Sequence, residues 1–350
     1  MKITAVQGAL PPHVYDQEAL TAQLARVWAG RPEVARRLDV LHRNVRVDQR
    51  HLTLPRERYE ELSTFGQFND AWVEGAVDLG EQAVRGALRR SGLEPRDIDA
   101  IFFTTVTGVC SPSIDARLVN RLGLRLDVQR TPMFGLGCVA GVSAVARAAD
   151  YVRAWPERVA VALSVELCSL TWQRHDTSVA NLIACGLFGD GAAAAIVSGD
   201  RRQGGDGPEI VAARSSFYPD TEEVMGWRVS EQGFQIVLSP QVPSVVREFI
   251  GADVDRFLAV HALARKDITA WIAHPGGPRV LEAMRDGLGL CDEQVAEAWE
   301  VLRTTGNLSS SSVLLVLERV LDVKRPPRDS WGLMVAMGPG FCSEQVLLRF

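Results

Sequence analysis

Three residues of this chain combine a reactive type with a setting that presents them: Cys138, His274 and Asn307. Cys138 lies in FGLGCVAGVSAVARAADYV, where an apolar strand meets Gly-x-Gly and then a helix. A sulfur at a helix start faces unpaired N–H groups and the positive end of the helix dipole, which favours the thiolate. His274 closes the apolar run Trp271-Ile272-Ala273 and is followed at once by Pro-Gly-Gly, so its ring is expected at the carboxyl end of a strand, where α/β proteins place functional groups. Asn307 follows Gly306 and precedes a Ser-rich helix start, NLSSSSVLLVLERVL. Each has an ordinary alternative. A lone cysteine is mostly a small buried hydrophobe, a turn histidine mostly a surface residue, and a Gly-Asn mostly a helix cap. The balance changes when the three are read together, in this order and spacing. Cys110, Cys168, Cys185, Cys291 and Cys342 lack comparable surroundings, although Cys185, just before Gly186-Leu187-Phe188, is expected close by.

The elements that must position these residues alternate. Asp16 is expected to cap a helix carrying Leu20, Leu24 and Trp28, and Asn69 or Asp70 to open a longer one running to Gly92. Residues 100–106 (AIFFTTV), 131–134 and 159–165 read as strands, with a helix from 139 to about 155 between the last two. The charged, Gly-rich stretch 199–208 reads as a hinge. Beyond it come a strand at 210–214, a helix from Val242, a strand at 271–273, helices near Val280 and Val295, and another at 309–321. The alternation implies βαβ units on a mainly parallel sheet. GDGAAAAIV at 189–197 and GPGFCSEQVLLRF at 338–350 end the two stretches alike, an internal echo of two similar halves, 1–203 with the cysteine and 204–350 with the histidine and asparagine.

Composition narrows the classes. The chain has 350 residues, 47% hydrophobic and 23% charged, the proportions of a compact protein of two packed halves or one large α/β unit. A net charge of -5 argues against non-specific nucleic-acid binding, and any anionic ligand needs a local basic patch. Six scattered cysteines with no CxxC pair suggest neither a metal site nor a disulfide framework. The first residues lack the pattern of a signal peptide, and no apolar run has the length of a membrane span, so a cytoplasmic location is expected.

The Cys138 block, GLFGDGAAAAIV at 186–197, His274-Pro275-Gly276-Gly277, Gly306-Asn307-Leu308-Ser309 and Met337-Gly338-Pro339-Gly340-Phe341 fall in the order seen in the thiolase superfamily. More narrowly, they resemble type III polyketide synthases. Segments 106–118, 165–174 and 218–227 look most like bacterial members that make alkylresorcinols, alkylresorcylic acids or alkylpyrones. The resemblance implies an α/β thiolase fold of five layers (αβαβα) built from two similar halves, and a homodimer that buries a strand edge and the loop at 106–113.

It also implies a chemistry. Cys138 would take an acyl starter from its CoA thioester, and malonyl-CoA would lose carbon dioxide to give an enolate stabilised by His274 and Asn307. Repeated condensation and ring closure would give a resorcinol, a resorcylic acid or a pyrone, with no metal or redox cofactor. By the same resemblance Phe188 and Phe234 are gatekeepers, and Val106, Thr107, Ser111, Thr171 and Cys185 shape the cavity. Their small size implies room for a long acyl chain. Arg37, Arg43, Arg46 and Arg50 are the basic groups available to CoA, where plant members carry lysines. An acyl carrier protein is an alternative donor of the starter. The rivals are a ketoacyl synthase III-like single-condensation enzyme, disfavoured by Pro275-Gly276-Gly277 after the histidine, a hydroxymethylglutaryl-CoA synthase, and an acyl-CoA thioesterase using the same cysteine.

Overall fold

A computed structural model of the chain describes residues 1–202 and 205–350. The expected boundary between halves, 203/204, lies outside the described residues. Strand β1 (Lys2–Ala9) is followed by β2 (His13–Asp16), helices α1 (Gln17–Val27) and α2 (Pro32–Asn44), and β3 (Gln49–Leu52), which pairs with β2. Then come α3 (Phe65–Ser91), β4 (Ala100–Thr105), α4 (Ile114–Leu122), β5 (Gln129–Phe134), α5 (Ala140–Ala154), β6 (Val159–Leu167), α6 (Val179–Leu187) and β7 (Asp190–Ser198). The second half carries β8 (Glu209–Phe217), the hairpin β9 (Met225–Ser230) and β10 (Gly233–Leu238), α7 (Val242–Val260), β11 (Ile268–Ala273), α8 (Pro278–Leu288), α9 (Ala296–Thr305), α10 (Ser312–Arg319), β12 (Trp331–Gly338) and β13 (Cys342–Arg349).

Nine strands run in the order β11-β12-β13-β8-β1-β7-β6-β4-β5. The order is a repeat about its middle. From the β1/β8 junction outward, β1-β7-β6-β4 and β8-β13-β12-β11 each show two antiparallel pairings followed by a parallel one. The echo between GDGAAAAIV and GPGFCSEQVLLRF is therefore structural, since β7 and β13 hold equivalent places. The expectation of a mainly parallel sheet is corrected. Only β11/β12, β4/β5 and β4/β6 are parallel, because the last strand of each half inserts between the first strand and the parallel group.

The halves stack as five layers. Helix α5 is buried on most of its surface, with the exposed stripe Arg147, Asp150 and Arg153, and lies with α10 between the two sheet halves. Helices α3 and α4 cover one outer face and α7 and α8 the other. Every residue of β6 and β7 is buried, as expected of strands covered on both faces.

Local signals explain the starts. The Asp16 carboxylate accepts from Ala19 N at 2.6 Å, the cap expected for α1. Helix α3 begins earlier than expected, because Thr64 and Gln67 form a reciprocal capping box ahead of Asn69. Helix α2 and the hairpin β9/β10 were not anticipated: α2 follows Pro32 with a charged sequence, and the hairpin turns on Glu231-Gln232, a pair without turn-forming character.

Candidate active site

Cys138 occupies the 3₁₀ turn Gly137–Val139 that leads from β5 into α5. Gly137 has φ 58°, and a Cβ there would lie 2.5 Å from Pro339 Cδ, so the glycine is what lets the Gly338-Pro339-Gly340 loop of the second half pack on the Cys138 turn. Cys138 is 8% exposed, and its Sγ lies 3.8 Å from Ser309 Oγ. Burial pushes the thiol up to about 12, opposed by hydrogen bonds from Ser309 and Asn307 and reinforced by the nearby Glu166 carboxyl. The expected helix-start thiolate is thus not favoured by position alone. Desolvation outweighs it, and the sulfur needs a proton acceptor.

His274 follows β11, and its N–H continues the ladder to Val335 O at 2.9 Å. The residue is 1% exposed, and both ring nitrogens are buried without a hydrogen-bond partner in the protein. Burial lowers its pKa to about 3, so the resting imidazole is neutral. Asn307 sits after Gly306 in the turn between α9 and α10. Its backbone N–H donates to Leu187 O at 2.8 Å, and its carbonyl accepts from Gly189 N at 3.1 Å, which locks it beside Phe188. The amide Oδ1 accepts from Ser309 N at 2.7 Å and Nδ2 donates to Gly276 O at 3.1 Å, in the loop after His274. One amide proton is left over. The cap reading of Asn307 is therefore half right, since its oxygen holds the turn while its nitrogen faces the histidine loop.

The serines after Asn307 were read only as a helix start. Ser309 takes φ 46°, a left-handed conformation costly for serine, beside the nucleophile. Ser310 Oγ donates to Glu166 Oε1 at 2.5 Å, and Glu166 Oε2 also accepts from Thr105 Oγ1, Val106 N and Thr107 Oγ1 at 2.9–3.3 Å. Glu166 thus ties the end of β4 to the Asn307 turn. Its pKa is raised to about 7 by burial, against these donors. A glutamate inside the apolar run VALSVELCSL was the available signal.

A mostly apolar, half-open cavity of about 90 Å³ lies beside these residues without being lined by Cys138, His274 or Asn307. Thr171, Cys185 and Phe188 line it as expected, together with Tyr59, Trp172 and Trp227. The other residues expected to shape or gate a cavity do not line this one. Ser111 is exposed, because the chain leaves the sheet after Thr105 and the loop has reached the surface by that point. Thr107 is buried, but its hydroxyl is committed to Glu166 and to Leu167 N. Phe234 is 3% exposed and packs on Phe65, Phe134 and Trp227 outside the cavity lining. Arg50 is 4% exposed and donates to Gln17 Oε1 and to the carbonyls of Cys185 and Phe188, so it builds the cavity wall and offers nothing to a phosphate. Arg43 pairs with Asp39 and Arg46 with Glu282, while Arg37 is exposed on α2. Among the described residues no group of three or more His, Cys, Asp or Glu is placed to hold a metal, and no helix is long and apolar enough to cross a membrane.

Comparison with known proteins agrees with this geometry. Residues 1–201 match the N-terminal domain of chalcone and stilbene synthases, and residues 209–350 match the C-terminal domain. The chain is 49% identical over 350 residues to a 1,3,6,8-tetrahydroxynaphthalene synthase of Streptomyces peucetius subsp. caesius, covering 99% of this chain and 93% of that protein. It is 36% identical to a putative chalcone synthase of Bacillus subtilis (strain 168), covering 99% and 98%. The crystal structure of 1,3,6,8-tetrahydroxynaphthalene synthase from Streptomyces coelicolor A3(2), a bacterial type III polyketide synthase, superposes with a TM-score of 0.93 at 30% identity, covering 100% and 99%. The thiolase fold inferred from the motifs is thus the fold of these neighbours. Enzymes of this kind condense acyl-CoA and malonyl-CoA thioesters and need no further cofactor. The chain belongs to the chalcone and stilbene synthase family and is a type III polyketide synthase, an acyltransferase-type condensing enzyme.

Proposed function

We propose that Cys138 carries the growing chain, that His274 is its proton acceptor, and that His274 and Asn307 together stabilise the enolate of malonyl-CoA. The observation that carries this reading is His274, whose two ring nitrogens are buried and unpartnered near an asparagine with a spare amide proton. A site that leaves such groups unpaired reserves them for a substrate. In the first step the Cys138 thiol loses its proton to His274 and attacks the starter thioester, and CoA leaves as the thiol. Malonyl-CoA then loses carbon dioxide, with the electron pair held as an enolate whose oxygen accepts from imidazole N–H and Asn307 Nδ2–H. The enolate carbon attacks the Cys138 thioester, the C–S bond breaks, and a β-ketoacyl-CoA longer by two carbons is released for reloading.

For the product we infer a polyhydroxylated aromatic built from malonyl units on a small starter. Similarity to the Streptomyces tetrahydroxynaphthalene synthases supports this, as does the small cavity bounded by Tyr59, Phe188, Trp172 and Trp227. Acyl-primed resorcinols, resorcylic acids or pyrones are the second reading, favoured by the apolar cavity wall. Incubation with malonyl-CoA alone and with a panel of acyl-CoA starters, followed by mass spectrometry, separates them. Product from malonyl-CoA alone supports the first. Products whose mass follows the starter support the second, and free acids alone would overturn both.

Further parts of the reading are proposals of the same standing. Phe188 and Phe234 gate the passage to Cys138. Exposed Arg37, with Arg43 and Arg46 on breaking their ion pairs, meets the phosphates of CoA or of a carrier protein's pantetheine arm. The halves divide at 203/204, consistent with the gap between the two matched domains at 201 and 209. The enzyme works in the cytoplasm as a homodimer.

A further inference from the structure

Beside this cavity lies a wider cleft of about 760 Å³, lined by Leu62, Phe65 and Phe68 and by Gln173, Gln232 and Gln235. Trp172 lines both spaces. Strand β10 does the same by alternation: Ile236 faces the cavity and Gln235 the cleft, as consecutive residues of a strand must. The partition is therefore one strand and one indole.

Three features mark the indole as the movable part. It follows the short 3₁₀ turn Cys168–Thr171 and belongs to no strand or helix. The Arg174 guanidinium lies 5.2 Å above its ring and is itself pinned to the carbonyls of Tyr59 and Glu60, so the ring is held from one side. Its Nε1–H is buried with no hydrogen-bond partner, so no polar bond holds the ring in place. The strand, in contrast, is tied down. Gln173 Nε2 bonds the carbonyls of Gln232 and Phe234 at 3.0 and 3.2 Å.

We propose that Trp172 is the partition that sets starter length in this enzyme, and that removing it joins the reaction cavity to the cleft, where the apolar side receives the alkyl tail of a long acyl starter. This rests on the reading of the cavity as the place where the Cys138-bound chain lies. It also gives the small-starter preference a single residue as its cause.

The test is a competition in one tube between malonyl-CoA alone as primer and dodecanoyl-CoA as primer, read by mass spectrometry as the ratio of the two product families. A ratio is insensitive to overall loss of turnover. In Trp172→Ala the dodecanoyl-primed share should rise at least about tenfold over wild type, the gain expected when even two more methylenes leave water. Trp172→Val should shift it in the same direction and Trp172→Phe should not, so the proposal stays testable if the alanine variant fails to fold. Adding Gln235→Trp to the alanine or valine variant should return the ratio toward wild type by filling the cleft. An unchanged ratio in folded Trp172→Ala or Trp172→Val, checked by circular dichroism, or an equal rise in Trp172→Phe, would overturn the partition. Wild-type protein that makes no condensation product would instead overturn the proposed function, so the two failures are distinguishable.

Discussion

Cys138 and His274 are each poor at carrying charge where they sit. Burial holds the thiol up to about 12 and the imidazole down to about 3. Between those limits the resting site holds a thiol and a neutral imidazole, and thiolate forms only as pH rises toward the thiol's own value. Alkylation of Cys138 by iodoacetamide in the free enzyme is therefore expected to climb about tenfold per pH unit between about pH 6 and 9; a profile already flat across that range would contradict the raised thiol. Cys138→Ala should abolish extension, and His274→Ala and Asn307→Ala should retain some acyl loading but lose malonyl-CoA decarboxylation, typically by a hundredfold or more for loss of an oxyanion donor. Decarboxylation equal to wild type in Asn307→Ala would remove that role. These three residues could be singled out because glycine punctuates the chain at each of them, with proline as well after His274. The settings of Ser111 and Arg50 could not be read, since whether a side chain in a loop or short strand points to solvent depends on the path of distant elements.

At the scale of elements, the site is made where turns of the two halves meet. Gly137→Ala would impose a left-handed alanine and an overlap with Pro339, at a cost of about 2–4 kcal/mol. Thermal or denaturant unfolding would show it, and a variant as stable as wild type would mean the loops are not in contact. Glu166, raised to about 7 by burial, keeps a proton in the folded chain that the unfolded chain releases near 4.5. Its contribution therefore weakens stability as pH rises from about 4.5 to about 7, by roughly 3 kcal/mol, and is constant above. Glu166→Gln should remove that part of the pH dependence, and identical stability-versus-pH curves for variant and wild type would contradict the burial. The helices around Cys138 could be anticipated from periodicity and caps. Helix α2 could not, because its buried Val34, Leu38 and His42 are interspersed with the charged Arg36, Arg37 and Asp39.

At the scale of the molecule, the repeat of strand order about the β1/β8 junction places Cys138 on one half and His274 and Asn307 on the other. The echo between 189–197 and 338–350 hinted at this, but strand direction was beyond it, because alternation of side chains is the same in parallel and antiparallel ladders. Strand β5 ends the sheet with most of its residues exposed, including Phe134, and Val109 is exposed in the neighbouring loop. An open apolar edge of this kind calls for a cover. A homodimer is the expected one, and light scattering showing only monomer at micromolar concentration would contradict it. The central claim, that the chain is built on Cys138, is tested most directly by quenching a reaction with malonyl-CoA in acid, digesting the protein, and weighing the cysteine peptides. The account predicts acyl groups on the Cys138 peptide alone, growing by one ketide unit at a time and arrested at the starter in Asn307→Ala. Acyl groups on the Cys168 or Cys185 peptide instead, or a full product yield from Cys138→Ala, would contradict it.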